Sequence, residues 1–240
     1  MTSRHVRVAA VGVLLGGAAL AGCSRPIEPE DIINRFSNLW YDQPDTWRTM
    51  RWFGIVSHQN PMDVWIIQEI FQEIKPDVMI ECGAFHGGSA ALWATILEQI
   101  NPDSKVISID IEDRMQAARE LPIVQRRVEF IVGSSTAPEV VAEVRRQAAG
   151  KRVVVLLDSD HRQPHVQEEL KQYAPLVGVG GYLIVQDTNI NGHPVLPGWG
   201  PGPWEAVDEF LKTTDAFQID RSRERFLFTF SPNGYLKRVK

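Results

Sequence analysis

Between residues 78 and 238, short runs rich in Val, Ile and Leu alternate with amphipathic segments, and four of these runs end in an acid. They are Val78 to Glu81, Val106 to Asp110, Val128 to Val132, Val153 to Asp158, Tyr182 to Asp187 and Phe226 to Phe230, with a last one at Tyr235 to Arg238. Helical patterns fall between them, at Ala90 to Ile100, Met115 to Glu120, Glu139 to Ala149, Val166 to Leu176 and Trp204 to Lys212. Continuous apolar runs suit strands covered on both faces, and intervening helices make the connections crossovers rather than hairpins. The pattern therefore predicts an α/β fold, a mostly parallel twisted sheet with helices on both faces. Strand carboxyl ends would share one rim, with Glu81, Asp110, Asp158 and Asp187 standing on it.

The first run leads into Glu81-Cys82-Gly83-Ala84-Phe85-His86-Gly87-Gly88-Ser89, just before a helix. Glycine lets backbone approach a ligand, and free N–H groups at a helix start can face it. The same pattern also serves as a tight strand-to-helix turn with no ligand. It matches neither G-x-G-x-x-G nor G-x-x-x-x-G-K-[ST], so a dinucleotide or ATP site lacks its usual support. Asp110, 29 residues beyond Glu81, is placed either to accept hydrogen bonds from ribose hydroxyls or to cap a helix. Leu156-Leu157-Asp158-Ser159-Asp160-His161 puts two carboxylates and an imidazole just past a strand. With Val185-Gln186-Asp187-Thr188-Asn189 it supplies oxygen ligands suited to Mg²⁺ or another hard divalent ion, and His161 suits a general base. Solvated loop acids and a capping His are the plainer account of the same residues. The Pro- and Gly-rich stretch from Asn189 to Glu205 is a constrained loop in which Trp199 and Trp204 either stack on a ligand or anchor the loop.

Charge narrows the partners. Lys plus Arg number 25 against 30 acids, with no long basic run, so the surface of a nucleic-acid binder is missing. Two cysteines, Cys23 and Cys82, are too few for a disulfide framework or a Cys-based zinc site. Residues 1–25 stand apart. Arg4 and Arg7 precede the apolar Val8 to Ala21, followed by Leu20-Ala21-Gly22-Cys23, a pattern similar to a bacterial lipoprotein signal with Cys23 as the lipidated residue. About 15 apolar residues fall short of the roughly 20 needed to span a bilayer, so a membrane-contacting segment is the alternative. Residues 26–240 read as one domain, with the Trp-rich stretch from about 31 to 75 as a helical cap or lid.

Several motifs in order give a resemblance: Trp65-x-x-Gln68-Glu69, Glu81-x-Gly83-x-x-x-Gly87-Gly88-Ser89, Leu157-Asp158-Ser159-Asp160-His161, Asp187-Thr188-Asn189 and Gly200-Pro201-Gly202-Pro203-x-Glu205-Ala206. Together they resemble the cephalosporin hydroxylase and rhamnosyl O-methyltransferase family, over roughly Leu39 to Arg238. The resemblance implies a Rossmann-like class I methyltransferase fold, S-adenosylmethionine (SAM) as donor, and a divalent metal, Mg²⁺ or similar, beside the acceptor hydroxyl. It implies that Glu81, Gly83, Ala84, Gly87, Gly88 and Ser89 line SAM, that Asp110 holds its ribose, and that Ser134 and Ser135 lie near its adenine. Asp158, Gln186 and Asp187 would form the metal site, with Asp160 or Asn189 as substitute ligands, and His161 would be the catalytic base. Gln186 departs from the family, which often has Glu there; the neutral amide removes one charge.

The expected protein is thus a metal-assisted, SAM-dependent O-methyltransferase acting on a sugar or lipid-linked sugar hydroxyl in glycolipid synthesis. It would be held by its N-terminal segment on the cytoplasmic face of the membrane, and a homo-oligomer is compatible with the chain. The alternatives are a hydroxylase-type member, although the close pair His161 and His165 lacks an iron-binding H-x-D/E start, and an exported lipoprotein that only binds ligand.

Overall fold

The computed structural model describes residues 28–240. The signal or anchor segment expected over residues 1–25, with lipidation at Cys23, lies outside them. Among the described residues no helix is long and apolar enough to cross a membrane.

The chain opens with α1 (Pro29–Asp42), a small hairpin of β1 (Arg51–Trp52) and β2 (Ile55–Val56), and α2 (Pro61–Ile74). There follow β3 (Val78–Cys82), α3 (Gly88–Ile100), β4 (Lys105–Asp110), α4 (Gln116–Arg119), α5 (Pro122–Arg127) and β5 (Val128–Val132). The second half contains α6 (Pro138–Ala148), β6 (Val153–Leu157), α7 (Gln163–Tyr173), β7 (Tyr182–Val185), α8 (Pro203–Thr213), β8 (Phe217–Ile219) and β9 (Tyr235–Arg238). Seven strands form one sheet in the order β5-β4-β3-β6-β7-β9-β8, with β3 to β7 parallel and β9 antiparallel to both its neighbours. The expected mostly parallel sheet is present. Its order reverses between β3 and β6, and helices lie on opposite faces for the two halves, as crossovers of one hand require.

Side-chain alternation along β3 shows how both faces are filled. Val78, Ile80 and Cys82 pack with α6, α7 and α8, whereas Met79 packs with α2, α3 and α5. The α2 contribution corrects one expectation: Ile66, Ile67, Ile70 and Phe71 are buried against the sheet layer, so α2 belongs to the core rather than to a lid. Each buried side chain of that size contributes about 1.5–3 kcal/mol. Only the segment up to residue 60 stands over the strand ends. Asn60 caps α2, its side chain accepting from Met62 N at 3.0 Å, and Pro61 occupies the first turn where no N–H is needed.

Phe226 to Phe230 is not a strand. The place beside β9 is taken by β8, which the sequence reading missed, and the Phe230 amide donates to Asp63 Oδ2 at 2.7 Å instead of to a ladder. Asp63 also accepts from Thr229 Oγ1 at 2.5 Å and Tyr235 OH at 2.8 Å, so a buried carboxylate on α2 fixes this loop over the sheet. Burial pushes its pKa up to about 6 against those hydrogen bonds. The helix expected over Met115 to Glu120 is α4, and a second short helix that the sequence reading missed, α5, starts after it at Pro122.

Glu81 points to the α3 face, fully buried, accepting from Trp93 Nε1 at 2.9 Å and Ser108 Oγ at 2.5 Å. Burial raises its pKa to about 7, with those donors opposing. A carboxyl whose folded pKa is raised gives stability below its unfolded pKa near 4.5, and that stability is lost as pH rises toward 7. The loss is on the order of 3 kcal/mol. Glu81→Gln keeps the shape and cannot ionise, so its Tm relative to wild type should increase between pH 5 and pH 8. Thermal unfolding at the two pH values checks this, and a pH-independent difference would show that Glu81 titrates alike in folded and unfolded chains.

Candidate active site

The strand ends surround a cavity of about 640 Å³, within the roughly 300–1,000 Å³ typical of small-molecule sites. Its floor is set by a close approach of two main chains. Gly83, at φ +103°, lies so near the end of β6 that a Cβ would sit 1.9 Å from the Asp158 carbonyl oxygen. Only glycine allows this turn, and the turn brings the β3 exit against the β6 exit. Its amides are already used: those of Gly83 and Ala84 donate to Ile109 O at 2.8 and 3.0 Å, Gly87 N to Ala84 O at 2.7 Å, and Phe85 N to Asp110 Oδ2 at 2.7 Å. What these residues offer the cavity is therefore an absence of bulk rather than a row of free donors.

Of the expected site residues, Gly83, Ala84, Ser89, Asp110, Ser134, Ser135, Asp158, His161 and Asp187 line the cavity together. Glu81, Gly87 and Gly88 do not. Glu81 is sealed beneath the turn, and Gly87 packs toward Ala118 and Phe130. Gly88 lies under the hairpin, where a Cβ would meet Val56 O at 2.1 Å. That contact, with Trp52 Nε1 donating to Thr95 Oγ1 at 3.3 Å, seats β1–β2 on α3 and delivers Ser57, His58 and Gln59 to the cavity.

Asp158, His161 and Asp187 converge, with one ligand atom from each lying within 4.8 Å of the others. His161 Nε2 is 3.2 Å from Asp187 Oδ2. Burial, and then the Asp187 charge, holds the Asp158 carboxyl well above the usual carboxylate range. Gln186 lies beside this group but is turned to Gln59: its Nε2 donates to Gln59 Oε1 at 2.7 Å and its Oε1 accepts from Gln59 Nε2 at 3.0 Å. Gln59 Nε2 also donates to Asp158 Oδ2 at 3.1 Å, so Gln186 meets the acids through a residue that no sequence motif flagged. Asp160 pairs with Arg162 at 3.2 Å. Asn189 is buried beneath the loop, with neither side-chain amide atom hydrogen-bonded.

The opposite side of the cavity is held by Glu169, whose Oε1 accepts from Ser135 Oγ at 2.5 Å and Ser159 Oγ at 2.6 Å and faces His165 Nε2 at 3.3 Å. Glu169 thereby ties the β5 and β6 exit loops together and raises the His165 pKa. The helical i, i+4 spacing of His165 and Glu169 was a signal that the sequence reading passed over. Trp199 and Trp204 are not in the cavity. Trp204 stacks on His193 at 4.1 Å and 4°, and Glu205 clamps its own loop by accepting from Asn191 Nδ2 at 2.8 Å and Gly202 N at 2.7 Å. The loop then supports His161, since Gln163 N donates to Pro201 O at 3.1 Å.

The cavity's charge is one-sided. Asp110, Asp158, Asp160 and Asp187 line it, with no Lys or Arg among the lining residues. Asp158 and Asp187, with His161 beside them, fit a divalent ion, whose charge would also offset the burial and the Asp187 charge that raise the Asp158 pKa.

The Mycobacterium leprae rhamnosyl O-methyltransferase is 39% identical over 217 residues, covering 88% of this chain and 92% of that one. That of Mycobacterium bovis is 37% identical over 243 residues, covering 97% of both. Among solved structures, a Mg-SAM form of CmcI superposes with a TM-score of 0.63 at 19% identity, covering 84% of this chain and 83% of that one. The O-methyltransferase TomG from Streptomyces achromogenes in complex with SAM gives 0.52 at 15%, covering 89% and 91%. These two are likenesses of fold. The Rhamnosyl O-methyltransferase/CmcI profile matches residues 44–239, and the chain belongs to that family.

Proposed function

We propose that the protein is a SAM-dependent O-methyltransferase that methylates a sugar hydroxyl with the help of a divalent cation. The observation that carries this reading is the meeting of Asp158, His161 and Asp187 in an acidic cavity with no Lys or Arg in its lining, beside the Gly83 turn and Asp110. Such a cavity favours a cationic sulfonium donor and a divalent ion, and disfavours phosphates. The sugar acceptor is supported by the rhamnosyl O-methyltransferases that the chain resembles over nearly its whole length.

Asp110 would accept hydrogen bonds from the donor's ribose, its carboxylate being fixed by Phe85 N and Glu112 N at 2.7 and 3.0 Å. Ser134 and Ser135 line the same end. Asp158 and Asp187 would hold Mg²⁺ or a similar ion, whose bound charge supplies Lewis-acid polarisation of the acceptor hydroxyl. His161 would take the hydroxyl proton, with Asp187 Oδ2, 3.2 Å from its Nε2, positioning the ring. Fixing donor and acceptor in one cavity replaces an encounter in solution with a single oriented one. The N-terminal segment, with Arg4 and Arg7 before Val8 to Ala21, would keep the domain on the cytoplasmic face, where SAM is available and a lipid-linked sugar is presented.

Three outcomes test this. In calorimetry, Asp110→Ala should weaken SAM binding by roughly 5- to 150-fold, the equivalent of about 1–3 kcal/mol; unchanged affinity removes Asp110 from the ribose role. Mn²⁺, used as a spectroscopic probe, should bind with its free signal lost in electron paramagnetic resonance, and Asp158→Asn should abolish that binding; turnover indifferent to EDTA would exclude the metal role. In spheroplasts, the domain should resist external protease, with an unmodified N-terminus by mass. A diacylglyceryl-modified Cys23 on digested protein would point to the exported binding protein.

A further inference from the structure

One wall of the cavity differs from the rest. Tyr41, Trp47, His58, Phe85 and Phe230 all line it, and their rings form an unbroken series. Centroids are 5.8 Å apart for Phe230 and Tyr41, 5.3 Å for Tyr41 and Trp47, 5.3 Å for Trp47 and His58, and 5.2 Å for His58 and Phe85. Apart from Phe85, these rings come from outside the parallel strand ends: α1, the turn after it, the approach to α2, and the loop that Asp63 fixes. Successive rings meet at 63°, 36°, 88° and 40°, so they form a cup and not a slot with parallel walls. A flat ring is best held between parallel faces, whereas a puckered ring presents C–H bonds in several directions and meets tilted faces well.

A second observation points the same way. Ser57, 6% exposed, lines this cavity, and its hydroxyl has no hydrogen-bond partner. Burying a hydroxyl unpaired is costly, so one left unpaired beside a cavity marks a place for a ligand's polar group. The cup adjoins the β6 and β7 exits, since Asn189 N donates to Phe230 O at 3.4 Å and Gln59, next to His58, donates to Asp158 Oδ2 at 3.1 Å, while Ser134 and Ser135 line the cavity from the β5 exit.

We propose that Tyr41, Trp47, His58, Phe85 and Phe230 form the acceptor subsite, a cup for the less polar face of a pyranose, with Ser57 Oγ bonding one of its hydroxyls. The assignment rests on the methyl-transfer reading. It makes Trp47 and Ser57 specificity-determining residues.

The test is saturation-transfer-difference NMR of methyl α-L-rhamnopyranoside with the full chain, in the presence of S-adenosylhomocysteine, alongside calorimetry with SAM. Wild type should saturate ring C–H protons of one sugar face. Trp47→Ala should weaken the glycoside by about tenfold or more and Ser57→Ala by about fivefold, with SAM affinity within twofold of wild type; Trp47→Phe should retain most binding. If Trp47→Ala fails to fold, as judged by circular dichroism, Ser57→Ala and Trp47→Phe carry the same comparison. Unchanged glycoside binding in these variants, equal loss of SAM and glycoside, or a SAM-binding wild type blind to the glycoside would overturn the subsite. A wild type that binds no SAM would instead overturn the methyl-transfer reading.

Discussion

Everything at this site depends on the contact between the main chains leaving β3 and β6. The sheet order reverses between these strands, so their exit loops diverge above the rim and leave a crevice. Within it, Gly83 lies against the Asp158 carbonyl with no room for a side chain. Because Asp158 N donates to Cys82 O at 2.8 Å, the β3 exit cannot move away from the β6 end without losing that bond, and the donor-side loop and the metal-side acid form one rigid unit. Reactants bound on either side of such a contact have a fixed separation, which is what methyl transfer between two bound molecules needs.

Buried polar groups then hold the remaining parts to this unit. Glu81 locks β3 to α3 and β4, Glu169 joins the β5 and β6 exits, and Asp63 draws the 229–230 backbone down onto α2. The Gln59–Gln186 amide pair couples the N-terminal segment to the acid cluster. Apart from Glu169 Oε2, which has no partner, their carboxylate oxygens are hydrogen-bonded, and removal of either side of such a bond leaves a buried group unpaired at about 1–3 kcal/mol. The consequence is division of labour. The parallel strands supply a rigid rim, and segments outside them bring the aromatic wall and Gln59.

Gln186 illustrates how a neutral side chain sits beside the acids. Its amide finds a second amide, and neither bears charge. Gln59 in turn donates to Asp158, so one oxygen of that carboxylate is held by the protein itself. The acids at the centre stay few, and His161 stands in the third place around them.

The sequence by itself determined the parallel α/β sheet, because continuous apolar runs alternating with amphipathic segments leave few other arrangements, and it placed Asp110, Asp158 and Asp187 on the rim, though also Glu81, which the structure buries. Asp110, Asp158 and Asp187 were legible because strand ends are local features, and the Gly83 turn because a positive φ at a strand exit favours glycine. Tertiary structure alone decided which neighbours these residues meet. Glu81 and Gly88 sit in the same motif as Gly83 yet face α3 and the hairpin, since side-chain direction within a turn follows long-range packing. Phe226 to Phe230 has strand-like composition, but Asp63 takes its backbone donor and β8 takes its place beside β9. Gln59, Trp47 and Ser57 carry no local signature at all, and they reach the cavity because Gly88 lets the hairpin lie on α3. Contacts between residues dozens of positions apart are set by how the layers pack, and no spacing along the chain encodes them.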